Sequence, residues 1–283
     1  MIRRQVTVFD VINYSFLLVL TVATFYPFWY TLVISTSTPE GYYSSFFHVI
    51  PNSFSLESFR AAFALEEIYR SFGISVFVTI CGTALSILLT SMGAYVLSKG
   101  DLEGRNIMFR MILFTMFFNG GLVPTYILLT QLGFRNNLLV LFVPSSINTF
   151  NLILMKNYFA TAVPQSLEDS ARIDGLNDFQ ILFRIVLPTS LPIVATISLF
   201  YAVGFWNNWF LAMLYLSRSA LHPLALVLRG LVLSAISPFV PPDVVPQMVK
   251  ASVIIISIVP IVMVYPFIQK HFVKGIMLGA IKE

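Results

Sequence analysis

Two sets of residues in this sequence carry side chains suited to recognition. The first is Pro164-Gln165-Ser166-Leu167-Glu168-Asp169-Ser170-Ala171-Arg172-Ile173-Asp174-Gly175, where acidic and small residues alternate. Pro164 suits a first helical position, residues through Asp174 can continue the helix, and Gly175 is a natural stop. Leu167, Ser170 and Ala171 can then share a face that another backbone approaches closely, while Glu168, Asp169 and Asp174 meet its basic rim. The same stretch also reads as a solvated linker carrying an interfacial helix. The second set is Asn119, Tyr126, Asn148, Asn151, Trp206, Asn207, Asn208 and Trp209, all within apolar surroundings. Ring faces stack on apolar surfaces and amides exchange hydrogen bonds with hydroxyls, the chemistry by which sugars are held. Asn148 and Asn151 fall one turn apart on a helix. Buried Asn also joins helices and Trp also marks interfaces, so packing competes with recognition at each position.

Other kinds of chemistry find little support. His48, His222 and His271 are scattered, and the single Cys81 lies in an apolar run, so no metal cluster or disulfide framework is expected. The phosphate-cradling pattern G-x-x-x-x-G-K-[ST] is absent, so any energy from ATP must enter through a partner. A net charge of +4, widely dispersed, is too weak for a nucleic-acid surface.

The elements that must position these residues are set by composition. Hydrophobic residues make up 57% and charged residues 11%, with a mean hydropathy of +0.84. Soluble domains carry about 25% charge, so most of this surface faces lipid. Intervals free of Asp, Glu, Lys and Arg run 11–39, 71–98, 111–134, 136–155, 185–217 and 251–269. With about 20 residues needed to cross the hydrocarbon core, they predict an all-α integral membrane protein with six transmembrane helices. These fall near 11–34, 72–97, 108–130, 137–159, 189–215 and 251–269. The first is no cleavable signal: it is long and ends in Phe25-Tyr26-Pro27-Phe28-Trp29-Tyr30, an interfacial cluster. None of the intervals holds an Asp or Glu, which counts against an ion-coupled carrier.

Six crossings divide the seventeen Lys and Arg residues eleven to six, which places both termini in the cytoplasm. The N-terminal segment 1–10, the loop 160–188 and the tail 270–283 are then cytoplasmic, and the loops 35–71 and 216–250 external. The core spans 72–269. A helix from Ser55 to Tyr69 is expected in the first external loop, which touches a partner or caps a cavity. Residues 221–240 are apolar but include Arg229, Gly230 and Pro238, so a re-entrant or surface helix fits better than a seventh span. In the inner loop, Asn177 or Asp178 can cap a second helix, on which Phe179, Leu182, Phe183 and Val186 form an apolar stripe.

The stretch Pro164–Gly175, continuing to Phe183-Arg184-Ile185-Val186-Leu187-Pro188, closely resembles the EAA motif of ABC importer permeases. Asp169 stands at the usual Glu and Ser170 at the first Ala, while Ala171, Asp174, Gly175, Leu187 and Pro188 agree. Asp169 has a shorter reach than Glu, which neighbouring Glu168 can compensate. Three further segments resemble carbohydrate-uptake permeases: Phe118-Asn-Gly-Gly-Leu-Val-Pro124-Thr-Tyr126, Trp206-Asn-Asn-Trp209, and the tail from Gln269 through Gly275 to Gly279 and Lys282. They match the maltose-type second permease subunit and its oligosaccharide-transporting relatives, with a lean toward acidic, uronate-containing chains. The resemblance implies a type I ABC importer permease fold in a bacterial inner membrane. It implies a heterodimer with a second permease subunit, an ATPase dimer that binds ATP and Mg, and an extracytoplasmic solute-binding protein. Glu168, Asp169, Ser170, Ala171, Asp174 and Gly175 would form the coupling helix, and Lys274, Gly275, Gly279 and Lys282 a tail reaching the ATPase. The chain itself would be non-catalytic and hold no cofactor. A permease for a non-sugar solute would keep the loop but lack the sugar-type tail.

Overall fold

Helix α1, Val8–Ser35, begins at a capping box: the Thr7 hydroxyl accepts from the Asp10 amide, and the Asp10 carboxylate accepts from the Thr7 amide at 2.9 Å. Its side chains from Val8 to Leu32 are exposed apart from half-buried Asp10 and Thr31, and full burial comes only at Val33, Ile34 and Ser35. The hydroxyls of Thr21, Thr24 and Thr31 each donate to the carbonyl four residues earlier, at 2.7–2.8 Å. Each of these hydroxyls is thereby paired within the helix, as a lipid solvent requires.

The computed structural model describes residues 7–44, 48–51, 53–233 and 245–280; of these, the side chains at 265 and 267–280 lie outside the description. The chain divides into two units, Met1–Tyr69 with Gly230–Val259, and Arg70–Arg229 with Pro260–Glu283. In the first unit, α1 is followed by α2 (Pro39–Ser44) and α3 (Glu57–Ala64). Among the described residues the sole β pairing is the isolated bridge Ser37–Phe54. The Trp29 indole donates to the Val49 carbonyl at 2.7 Å, and Tyr30 meets His48 edge-on, so the aromatic cluster closes over its own loop. The helix expected over Ser55–Tyr69 is broken at Leu65, which is extended (φ −73°, ψ 106°). Glu66 and Glu67 open a new helix instead, where acidic side chains favour the N-terminal dipole.

The second unit is built on α4 (Glu66–Ser98), followed by α5 (Arg105–Phe117), α6 (Leu122–Gln131) and a 3₁₀ turn at Leu138–Leu141. Then come α7 (Thr149–Ala162), α8 (Gln165–Ile173), α9 (Asp178–Ile181), a π-helical turn at Leu182–Val186, and α10 (Leu187–Thr189). After these come α11 (Leu191–Trp206), α12 (Phe210–Tyr215) and α13 (Leu224–Leu233). The last helix, α14, runs Pro246–Ala280. One apolar core joins Val78 and Tyr95 of α4 with Leu141, Met155, Phe159, Ile181, Ile197 and Tyr215. Glycines set the closest approaches: a Cβ at Gly82 would lie 2.9 Å from the Phe142 Cβ and the Phe205 ring, and one at Gly93 2.9 Å from Leu152.

Several of the six expected spans are bent or broken along their length. Among the described residues, Val8–Ser35, Glu66–Ser98 and Pro246–Val264 are long and apolar enough to cross a membrane, and counting each of two bent pairs as one span gives up to five. The expected helix 108–130 bends by 111° between α5 and α6, where Gly121 takes φ +86°. The expected helix 189–215 bends by 89° at Ser190, between two prolines, and breaks again after Trp206. The expected helix 137–159 is a 3₁₀ turn, a loop at Pro144-Ser145-Ser146, and the 14-residue α7. Hydropathy reports burial in lipid or protein but is blind to local backbone geometry. At 221–240, α13 covers Leu224–Leu233, and residues 234–240 lie outside the described ones. Through the tail expected at 270–283, α14 continues helical to Ala280.

Because α4 packs through bare glycine, Gly82→Leu should overpack this contact and cost about 1–3 kcal/mol. A lowered melting temperature of the detergent-solubilised protein should show it. Gly73→Ala, where a Cβ meets nothing within 4 Å, should leave melting nearly unchanged.

Candidate functional site

The loop 160–188 folds as a short helix locked down on one side. Pro164 is the N-cap of α8, one position earlier than its sequence suggests, and Gly175 closes the other end at φ +83°. There the Gly175 amide donates to Arg172 O and the Leu176 amide to Ala171 O, both at 3.0 Å. Ala171 is buried at 4% exposure, in the core with Phe159, Val163, Ile181 and Leu182. The expected face of Leu167, Ser170 and Ala171 is therefore divided. Ala171 turns inward and seats the helix, while Leu167 and Ser170 stay exposed beside Asp169, Asp174 and Ile173, the last at 87% exposure.

Glu168 also turns inward. Its carboxylate pairs with the Lys99 ammonium just beyond α4 and accepts a hydrogen bond from the Tyr95 hydroxyl at 3.3 Å. Lys99 lies over the Tyr95 ring, 4.1 Å from its centroid. Asp178 adds an exposed ion pair to Arg172 at 2.8 Å. Burial lowers the Lys99 pKa from its ordinary value, and the Arg172 guanidinium pushes the same way. A mixed-charge cleft of about 390 Å³, lined by Tyr95, Lys99, Asp101, Arg172 and Phe179, opens beside this cluster. Glu168 is thus committed to holding α8 against α4, which leaves Asp169 and Asp174 as the outward acidic groups. Sequence reasoning missed Tyr95 and Lys99, because no spacing along the chain links them to α8.

The next turn continues the link. Asn177 and Gln180 form a reciprocal capping box, the Asn177 carbonyl accepting at 2.9 Å. The π turn then shifts the expected stripe: Leu182 and Val186 are buried, whereas Phe179 and Phe183 are exposed and stack on each other at 6.3 Å.

The membrane-region candidates separate into four groups. Asn148, Asn151 and Asn208 come together in a cleft of about 230 Å³ with Ser145, Phe200, Tyr201, Gly204, Phe205 and Leu211. Asn148 and Asn208 are not simply on a helix face; their side-chain carbonyls cap chain turns, accepting from the Asn151 amide at 3.1 Å and the Leu211 amide at 3.3 Å. The Asn208 amide group donates to Leu141 O at 3.4 Å. Tyr201, unmarked by sequence, ties the cleft together: its hydroxyl accepts from the Asn148 backbone amide at 2.9 Å and bonds Thr90 at 2.8 Å. Asn119 and Tyr126 stand elsewhere. Asn119 accepts from the Gly121 amide at 2.8 Å at the α5–α6 bend, and Tyr126 stacks on Tyr215 at 5.3 Å. Trp206 and Asn207 have structural work: Trp206 is buried with an edge contact to Phe72, and exposed Asn207 donates to Val203 O at 2.9 Å. Trp209 faces Arg229, whose guanidinium lies 4.3 Å from the ring centroid. In the tail, the backbone at Lys274, Gly275 and Gly279 is helical, while Lys282 lies outside the described residues.

Comparison with known proteins agrees with this geometry. Residues 76–278 match the family described as binding-protein-dependent transport system inner membrane component. The chain is 44% identical to the polygalacturonan/rhamnogalacturonan transport system permease protein YtcP of Bacillus subtilis (strain 168), over 97% of this chain and 98% of that one. It is 40% identical to protein LplC of the same organism, over 97% and 95%. In three dimensions it superposes at a TM-score of 0.87 and 30% identity on a chain of a bacterial ABC transporter involved in the import of the acidic polysaccharide alginate. That match covers 94% of this chain and 96% of the other. A seated helix at the EAA position, an all-helical membrane scaffold and a match over most of its length make this chain a member of the binding-protein-dependent transport system inner membrane components, an ABC importer permease.

Proposed function

We propose that this chain is one of two permease subunits of an importer that carries an acidic oligosaccharide into the cytoplasm, powered by ATPase subunits docking on α8. The observation that carries the docking half is Ile173, 87% exposed on a helix whose opposite face is fixed by Ala171 and Glu168. An apolar side chain held out by a rigid mount, with Asp169 and Asp174 beside it, suits a groove with a basic rim. The acidic-sugar half is supported by the substrates that the relatives' names carry, polygalacturonan/rhamnogalacturonan and alginate. The cleft of Asn148, Asn151 and Asn208 beside Phe200 and Phe205 offers the amides and rings that such chains need.

In this reading ATP and Mg sit on the partner ATPase dimer, a solute-binding protein delivers the chain, and this subunit is non-catalytic. Both termini, the loop 160–188 and the tail 270–283 face the cytoplasm, and 35–71 and 216–250 face outward. Lys274, Gly275 and Gly279 of α14, with Lys282 beyond it in sequence, belong to the tail that reaches the ATPase interface. Displacement of α8 passes to α4 through the Lys99–Glu168–Tyr95 cluster, and to α10 and α11 through the π turn that follows it.

Co-expression should recover an ATPase and a second permease with this chain, and ATP hydrolysis in liposomes should rise when a binding protein loaded with an acidic oligosaccharide is added. Transport by the purified chain alone on an ion gradient would overturn the reading. Ile173→Asp should reduce ATPase co-purification about tenfold without altering melting, since the side chain is almost fully exposed. Gly175→Val forces a β-branched residue to positive φ, at roughly 1–2 kcal/mol or more. It should uncouple hydrolysis from uptake while membrane insertion, checked by fractionation, is kept; failed insertion would assign Gly175 to folding instead.

A further inference from the structure

Tyr201 of α11 is 5% exposed, and its ring stacks on Phe205 at 6.2 Å within the apolar core. A phenylalanine would pack in the same way, so packing alone does not call for the hydroxyl. An unpaired hydroxyl at that depth is costly, and this one is paired twice. It accepts from the Asn148 backbone amide at 2.9 Å and shares a hydrogen bond with the Thr90 hydroxyl at 2.8 Å. Thr90 is itself fully buried. Three elements therefore meet on one oxygen: α4, α11 and the N-cap of α7.

The three connect the asparagine cleft with α8. Asn148 and Tyr201 line the cleft, and Thr90 does not. Asn148 is fixed at two points, by its backbone amide on Tyr201 and its side-chain carbonyl on the Asn151 amide. Its remaining donors are those of the NH2 group. Thr90 stands on α4 five residues before Tyr95, about 7.5 Å along the axis at 1.5 Å per residue. Tyr95 donates to Glu168 of α8, and Glu168 pairs with Lys99 just past the end of α4. Between these two grips, bare Gly93 lets α4 close on Leu152 of α7.

We propose that Tyr201 is a positioning residue that sets the cleft from the α8 end. Its hydroxyl holds Asn148 in place and ties it to α4, so a displacement of α4 reorients the cleft. The assignment rests on the importer reading above, and adds to it a link from α8 to the substrate cleft.

The test is the number of oligosaccharide molecules taken up per ATP hydrolysed by the complete complex in liposomes with its binding protein. Unfolding of a fraction of the complexes lowers both rates together and leaves this ratio unchanged. Tyr201→Phe keeps the ring and loses both bonds; it should lower the ratio about fivefold, uptake falling further than hydrolysis. Thr90→Val loses only the tie to α4, at a position outside the cleft, and should lower the ratio about threefold. The double variant should be no worse than Tyr201→Phe alone, because both changes act on one bond. An unchanged ratio in Tyr201→Phe, whatever the loss of total activity, would overturn the positioning role. A wild-type ratio in Thr90→Val, or losses that add in the double variant, would overturn the tie to α4. The ratio is measured with whichever of trigalacturonate and maltotriose the wild type takes up. Uptake of neither would overturn the importer reading, and the positioning role with it.

Discussion

Everything in this protein answers to one constraint: in hydrocarbon a backbone amide or carbonyl has no water to turn to, so each break in a helix must be closed by the chain itself. The breaks are many, at Asn119–Gly121, around Asn148, at Ser190 and after Trp206. Asparagine closes three of them. Asn119, Asn148 and Asn208 each accept a nearby backbone amide through the side-chain carbonyl. A side-chain amide that caps with its oxygen still has two N–H donors, so one residue can finish a helix and offer itself to a ligand. In the proposed reading of the cleft, structure and recognition would draw on the two ends of the same group.

That double use explains what could be read from the sequence and what could not. The apolar intervals located the helical material, and Pro164 to Gly175 marked α8 almost to the residue. The breaks were invisible to hydropathy, because Gly121, Pro144 and Ser190 barely disturb a twenty-residue average. Which asparagines converge was equally hidden. Asn148, Asn151 and Asn208 meet only because α7 and the start of α12 flank α11, a fact of packing rather than spacing. The inward turn of Ala171 and Glu168 follows the same logic. A nine-residue helix has one face to bury, and the core that receives it is drawn from α4, α7 and the π turn.

The two polar centres also differ in how they hold charge. Around α8, Lys99, Glu168, Arg172 and Asp178 neutralise one another, and the outward side keeps Asp169 and Asp174. Near α12, Arg229 is steadied by a ring and a sulfur. The first arrangement makes a firm joint. The second holds its cation on a ring face and a thioether, with no carboxylate paired to it among the described residues.

The joint has a consequence for timing. Ala171 seats α8 through a single buried methyl, and the Glu168 carboxylate is held at once by the Lys99 ammonium and the Tyr95 hydroxyl, so α8 is tied to the end of α4 by an ion pair and a hydrogen bond on one group. A push on such a mount arrives without slack. In the proposed arrangement the gate would follow the motor stroke for stroke, and any lag between hydrolysis and opening would have to arise in the bent helices beyond it.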